Sequence, residues 1–400
     1  MTQCSDPIAK HMEQFAQFLR GEGYASQTIK WKCALAAEFS AWIRHCGLSM
    51  RRLDENHLQQ FNAHRRRGKR LVDRRSCSQL LHFLRIVGVT RPMQPKVDHS
   101  PLARVTREYE SFLRGERGLS RATVARYLPI VRQFLEEHFA NNDRRIHDGL
   151  RDLVPRDLHS FILRDAQRAT RTHAKAAVSA LRSFLRFLQQ RGITQVDLAA
   201  ALPGMAHWRL SHIPKSLSPE DVERLIQSCD RDTRSGQRDH AIVLLLARLG
   251  LRGGEVLAMT LDDLDWRKGE VLVRGKGQRF ERLPLPRDVG AAIVHYLRHV
   301  RPRCATRNVF IRLKAPWQPL GQSAICSVVR RALERSGLDP AFKGAHLFRH
   351  SLATNMIRGG ASLGEIGQIL RHSSPATTQI YAKVDVEGLR DIAMPWMGGA

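Results

Sequence analysis

A stretch near the start of the chain returns about ninety residues later. Residues 18–29 read Phe-Leu-Arg-Gly-Glu-Gly-Tyr-Ala-Ser-Gln-Thr-Ile, and residues 112–124 read Phe-Leu-Arg-Gly-Glu-Arg-Gly-Leu-Ser-Arg-Ala-Thr-Val. The ends of the two copies also agree: His82 to Thr90 pairs with Phe187 to Thr194, which follows Leu181 to Leu185. Apolar residues recur at three- and four-residue steps, as at Leu181, Phe184, Leu185 and Leu188, the period of a helix with one buried face. A repeat of roughly 85–95 residues with that pattern predicts two copies of a small four- or five-helix domain. Four hundred residues exceed one ordinary core, so further domains are expected beyond them. The boundaries fall at 1–95, 102–202 and 214–400. The intervening Arg91-Pro92-Met93-Gln94-Pro95 and Pro203-Gly204 through Pro214-Lys215 carry the residues that end regular structure.

Charge narrows the partner. A formal net charge of +27 implies a polyanion, with nucleic acid first. Arginine outnumbers lysine 53 to 12, and guanidinium forks suit two-oxygen phosphate contacts. A GC-rich genome would produce the same bias. The most basic run of the first copy, Arg65-Arg66-Arg67-Gly68-Lys69-Arg70 with Arg74 and Arg75, is read as DNA contact in preference to a merely solvated helix face. The seven cysteines (Cys4, Cys33, Cys46, Cys77, Cys229, Cys304, Cys326) are scattered and form no Cys-x-x-Cys, so reduced, mostly buried thiols are expected rather than disulfides or zinc. The longest apolar run, Ala241 to Ala247, is too short to span a bilayer, and an intracellular soluble protein is expected.

The third domain opens at Ser218-Pro219-Glu220-Asp221, an N-cap serine with proline at the first helical position. Ala241 to Ala247 reads as a buried helix. Val271 to Arg274 and Phe280 to Leu283 read as two strands joined across Gly275-Lys276-Gly277. The remainder reads as helical, with a capping box at Ser362–Glu365 and a cap at Ser374-Pro375 before the segment bearing Tyr381. His346 and Arg349, three apart, share a helical face; His372 follows, then Tyr381. An arginine, two imidazoles and a phenol have what is needed to hold a phosphodiester and attack it.

These residues, in this order within one C-terminal domain, resemble the phage-integrase family of tyrosine recombinases. The resemblance runs over about 102–390, with residues 1–95 linked to it only through the repeat. It implies a mainly α fold: duplicated N-terminal helical (SAM-like) domains, the second being the core-binding domain, and a mostly helical catalytic domain with a small antiparallel sheet, closing as a clamp on duplex DNA. The family's Arg-x-x-Glu box matches Arg252 and Glu255, its strand-turn lysine matches Lys276, and its His-x-x-Arg box matches His346 and Arg349. Its later histidine and its nucleophile match His372 and Tyr381. By that resemblance Arg252 and Arg349 would grip the scissile phosphate and Lys276 would protonate the leaving 5′-oxygen. His346 would act as acid/base or orient the phosphate, and His372 would donate to a non-bridging oxygen. Tyr381 would form a 3′-phosphotyrosine, with Glu255 supporting Arg252 structurally. Arg274 joins the basic run as a DNA-binding candidate. Two departures stand out: Gly253 and Gly254 follow Arg252 where residues with side chains would make a sturdier helix, and Arg371 precedes His372 where the family commonly has glycine.

The same resemblance implies a site-specific recombinase or integrase working through a Holliday junction without metal, ATP or other cofactor. Its partners would be double-stranded DNA, sister protomers in a homo-tetramer on synapsed sites, and a second recombinase or accessory protein. The setting would be the bacterial cytoplasm, at the nucleoid. The extra N-terminal copy favours service to a mobile element. The apolar tail, Val384, Val386, Leu389, Ile392 and Met394 with Trp396 behind it, would close its own domain or dock on a neighbour. A type IB topoisomerase-like swivelase and a catalytically silent architectural protein are the rivals. A metal-dependent nuclease is disfavoured because no carboxylate cluster has ligand-like spacing.

Overall fold

The computed structural model describes residues 8–64, 70–92, 98–139, 146–168, 170–204, 216–275, 279–372 and 374–384. Helices dominate these residues. The first copy of the repeat forms α1 (Met12–Gly21), α2 (Ser26–His45), α3 (Glu55–His64) and α4 (Arg70–Ile86). The second forms α5 (Pro101–Ser111), α6 (Arg121–Phe139), α7 (Ile146–Arg151), α8 (Pro155–Arg168) and α9 (Arg171–Gln190). Each copy closes around its own apolar cluster. Phe15, Leu19, Phe39, Phe61 and Leu84 sit in the first; Phe112, Leu135, Phe161, Leu181 and Leu188 sit in the second.

The two copies share their turns as well as their helices. After α1, Tyr24 N–H donates to the Leu19 carbonyl with Gly23 at φ +87°. After α5, Leu119 N–H donates to the equivalent Leu113 carbonyl with Gly118 at φ +56°. After α4 and α9, Val89 and Ile193 donate to Leu84 and Leu188, with Gly88 and Gly192 left-handed. Only glycine takes that conformation without a steric penalty, which is why the repeat keeps these positions. The second copy is one residue longer at the first turn because of Arg117. There the helix end winds into a π turn, Phe112–Glu116, which takes up the extra residue and leaves the cap intact.

The chain divides into two compact units, Gln94–Trp208 and the remainder, in which Met1–Met93 stands with Arg209–Ala400. Within the larger unit, Trp317 N–H donates to the Glu22 carbonyl at 3.0 Å. Its C-terminal part begins with α10 (Pro219–Gln227), where the Ser218 hydroxyl accepts from Asp221 N–H at 3.1 Å. α11 (Arg234–Leu249) follows, with Ala241 to Ala247 buried all round, and then α12 (Gly253–Ala258). An antiparallel sheet comes next: β1 (Leu264–Asp265), β2 (Glu270–Arg274) and β3 (Phe280–Pro284), in that order. Val271 faces Leu283 and Arg274 faces Phe280 across the hairpin, as the strand pattern predicts; β1 is an addition. α13 (Arg287–His295), α14 (Gln322–Ser336), α15 (His346–Arg358), α16 (Leu363–Ile369) and α17 (Pro375–Thr378) complete the elements, and a 3-10 turn, Gln379–Val384, carries Tyr381.

Three expectations are revised. Ser374 stands at the N-cap of α17, yet its side chain makes no capping hydrogen bond, so Pro375 alone marks that start. Gly253 and Gly254 occupy the first turn of a six-residue helix, where they weaken little, and a Cβ on Gly253 would come within 3.2 Å of Ile325. Among the described cysteines, Cys77 and Cys229 are buried, but Cys33 and Cys304 are half-buried and Cys46 and Cys326 exposed, so burial is not the rule. Cys33, Cys46, Cys229, Cys304 and Cys326 are free thiols. No helix among the described residues is long and apolar enough to cross a membrane.

Candidate active site

The site is assembled from the loop between α11 and α12, the start of α15, the end of α16 and the turn after α17. Gly250 ends α11 in the left-handed conformation (φ +56°), and Arg252 then serves as N-cap of α12. Glu255, at the third position of that helix, reaches back to the N-cap: its carboxylate accepts from Arg252 N–H at 2.8 Å and from the Arg252 guanidinium at 2.7 Å. One residue thus satisfies an orphan helix donor and fixes the cation in front of it. The Glu255 carboxyl stays below its ordinary range: burial would raise it, and the bonds from Arg252 with the charge of Arg371 outweigh that.

Arg349, one turn into α15, is buried (3% exposed). Its guanidinium donates to the Gly250 carbonyl at 2.7 Å and to the Leu370 carbonyl. A single side chain therefore ties the loop before Arg252 to the turn before His372. Burial, then repulsion from Arg252 and Arg371, lowers its pKa to about 10, still a full cation near neutrality.

Tyr381 is 1% exposed, its ring in a small apolar cluster with Ala353, Ile357, Ile366 and Leu370. Its hydroxyl lies 2.9 Å from Nδ1 of His350, the residue after Arg349. The His372 ring stacks nearly parallel to it, centroids 6.4 Å apart, while His372 Nδ1 is 2.7 Å from the Thr378 hydroxyl. Burial pushes the phenol up to about 12, with Arg349 opposing. Burial, reinforced by Arg349, Arg252, Arg371 and His350, pushes His372 down to about 4. His346 and His350 are lowered too, first by burial; Arg349 and Arg252 add to this for His346, and the His346 ring and Arg349 for His350. The imidazoles are neutral at pH 7.

A pH dependence of stability follows from these directions. An unfolded histidine takes up its proton near 6.5, whereas folded His372 resists until about 4. A depressed folded pKa means stability that is complete above 6.5 and declines as pH falls toward 4. Thermal melts of the protein are expected to move down through that window, with a shallower slope for His372→Gln. Parallel slopes for the two proteins would contradict the assignment.

Arg371 was singled out as a departure, and its place explains both the usual glycine and the exception. α16 ends in a Schellman turn: Arg371 N–H donates to the Gln368 carbonyl and His372 N–H to Gly367, both at 2.9 Å. The position between them is left-handed (φ +54°), which costs a non-glycine residue roughly 1 kcal/mol. The Arg371 side chain turns inward, 5% exposed, and donates to Glu255 at 3.0 Å.

The structure brings together Arg252, Glu255, His346, Arg349, His372 and Tyr381. Arg274 is turned elsewhere: its guanidinium pairs with buried Asp263 at 2.8 Å and lies 5.9 Å from the Phe280 ring centroid. Lys276, Arg65, Arg66, Arg67 and Lys69 lie outside the described residues, as do Val386, Leu389, Ile392, Met394, Trp396 and Cys4; Arg70 opens α4, its side chain not among those described. Arg74 and Arg75 are exposed. Two contacts were not foreseen, Tyr381 with His350 and Glu255 with Arg371. The only sequence signals were the adjacency of His350 to Arg349 and a charged residue at a glycine position.

Over residues 215–387 the chain matches the phage integrase family, and over 106–192 the phage integrase N-terminal SAM-like domain. It is 44% identical over 397 residues to the integrase/recombinase y4rA of Sinorhizobium fredii (strain NBRC 101917 / NGR234), covering 98% of this chain and 96% of that relative. It is 32% identical over 305 residues to the tyrosine recombinase XerD of Mycobacterium tuberculosis, covering 72% of this chain and 95% of XerD. The fold is shared with the XerH site-specific recombinase bound to a palindromic difH substrate, at a TM-score of 0.54 and 16% identity over 98% of this chain and 97% of that one. Identity at the first of these levels, along nearly the whole of both chains, settles the matter: the protein belongs to the phage-integrase family, the tyrosine recombinases, and is a site-specific DNA recombinase.

Proposed function

We propose that the protein cuts and rejoins duplex DNA through a 3′-phosphotyrosine at Tyr381. The observation that carries this is the 2.9 Å contact between the Tyr381 hydroxyl and His350, in a buried cluster that also holds Arg349 and His372. Arg252 and Arg349 neutralise the non-bridging oxygens of the scissile phosphate, where a guanidinium stays charged and spans two oxygens. His346 and His372, neutral before DNA arrives, donate to those oxygens or to the reacting groups. A phenol raised to about 12 is a poor nucleophile while it keeps its proton, and His350 lies within hydrogen-bond reach of it. In the tautomer protonated at Nε2, His350 Nδ1 accepts the phenolic proton as Oη bonds to phosphorus. The P–O5′ bond breaks, and Lys276 supplies the proton to the departing 5′-oxygen. The phosphotyrosine retains the bond energy, so a 5′-hydroxyl from a partner strand reverses the step and exchanges strands through a Holliday junction.

Residues 102–202 would bind the core site, 214–400 would cleave, and 1–95 would contact accessory DNA or protein, with Arg65 to Arg70 following the backbone. The working assembly would be a homo-tetramer on two synapsed sites at the nucleoid, serving a mobile element, with an accessory protein where one is needed. The extra N-terminal copy supports the mobile-element role. The test is a nicked suicide duplex drawn from the gene's flanking DNA and incubated without divalent metal. A denaturation-resistant complex carrying the strand label 5′ to the cut, so joined through the 3′ phosphate, is expected. Binding without any such complex would overturn the proposal. Exchange requiring two copies of the site separates a recombinase from a swivelase.

A further inference from the structure

Arg371 combines three properties that do not usually meet. It holds a left-handed backbone (φ +54°) that a glycine would take freely. Its side chain is 5% exposed, although arginine is seldom buried without a partner. The partner it finds is the Glu255 carboxylate that also fixes Arg252, 116 residues earlier in the chain. Its other terminal nitrogen donates to the Ile369 carbonyl at 3.1 Å, which fixes the fork from behind.

The bonding around Glu255 is divided between its two oxygens. Among the described residues, one accepts only the Arg252 guanidinium (2.7 Å); the other accepts Arg252 N–H (2.8 Å) and Arg371 (3.0 Å). A carboxylate held at that oxygen by Arg252 N–H alone would be freer to swing and take both oxygens to the guanidinium in a two-pronged pair, the geometry the two groups prefer. With Arg252 N–H and Arg371 together holding the second oxygen, Glu255 takes one terminal nitrogen of Arg252, and among the described residues no other acceptor is bonded to that guanidinium. Arg371 also adds a cation beside Arg252 and Arg349, so the charge of Glu255 is shared and Arg252 is less fully neutralised by it.

We propose that Arg371 is a positioning residue for cleavage: acting through Glu255, it sets the orientation and effective charge of Arg252 toward the scissile phosphate. This rests on Arg252 gripping that phosphate, as proposed above. The prediction is specific because the backbone and the charge pull in opposite directions. Arg371→Gly and Arg371→Asn relieve the left-handed backbone and remove the cation; Arg371→Lys keeps the cation and the strain.

The experiment is single-turnover cleavage of the nicked suicide duplex over a range of duplex concentrations, beside thermal melts of each variant. For the glycine and asparagine variants, the maximal rate is expected to fall about tenfold to a hundredfold, the scale of a small misplacement at the reacting centre. The duplex concentration giving half-maximal rate should stay close to wild type, melting should not drop, and Arg371→Lys should recover much of the rate. Wild-type rates in the glycine or asparagine variant would overturn the proposal. So would a rate loss that follows falling thermal stability and is not recovered by lysine. If wild type itself binds the duplex but forms no covalent complex, it is the phosphotyrosine reading that has failed, an outcome visible in the control lane before any variant is compared.

Discussion

Tyr381→Phe is expected to bind the suicide duplex as wild type does and to form no covalent complex at any time or enzyme concentration. The substitution removes one atom. It leaves the ring in its apolar cluster with Ile357, Ile366 and Leu370, so packing is retained. What is lost is the bond between the hydroxyl and His350, a change of about 1 kcal/mol in folding stability. A thermal melt and a gel-shift titration run alongside would show a folded, DNA-binding protein. Any residual denaturation-resistant complex in this variant would mean that another residue is the nucleophile.

Arg349→Ala should be the most damaging single change at the site, and in two independent readouts. The buried guanidinium satisfies the carbonyls of Gly250 and Leu370, and alanine removes the donor from both. An orphaned buried acceptor costs about 1–3 kcal/mol, so the pair together should destabilise the catalytic unit by about 3–5 kcal/mol. Relief of repulsion with Arg252 and Arg371 offsets part of this. Cleavage should fall to background as well. Arg349→Lys separates the effects: an ammonium keeps the charge but lacks the planar fork that reaches both carbonyls. It should recover part of the stability, and little of the cleavage. Denaturant unfolding followed through the C-terminal residues would check the first claim. A variant as stable as wild type would refute the role of Arg349 as a tie between the two loops.

What the sequence made legible was local. The Ser218 and Ser362 caps, the hairpin over 270–284 and the buried run in α11 each lie within a few residues, and local chemistry decides them. The repeat was legible because both copies need the same left-handed glycines. Arg252 and Glu255 were legible as an Arg-x-x-Glu pair, three residues apart, whose carboxylate holds the Arg252 N–H and guanidinium. The bridge from Arg371 to Glu255 and the contact of His350 with Tyr381 were not legible, because each joins segments that only the tertiary fold brings together. The partner of Arg274 was hidden for the same reason: Asp263, eleven residues back, meets it only once β2 has turned toward the preceding loop. Ser374 shows the reverse failure, a sequence signal for capping that the backbone at that position does not use.

The π turn at Phe112–Glu116 bears on how a chain of this kind changes over generations. An inserted residue in an ordinary helix would rotate everything beyond it by about 100° and turn the buried face outward. Here the extra residue is lodged in a widened loop of backbone, and the same leucine carbonyl still receives the same cap. The joint before α6 can therefore lengthen by one while the domain behind it keeps its shape. Duplicated modules can drift apart in length at such a joint while the bond that closes the turn before the next helix is kept.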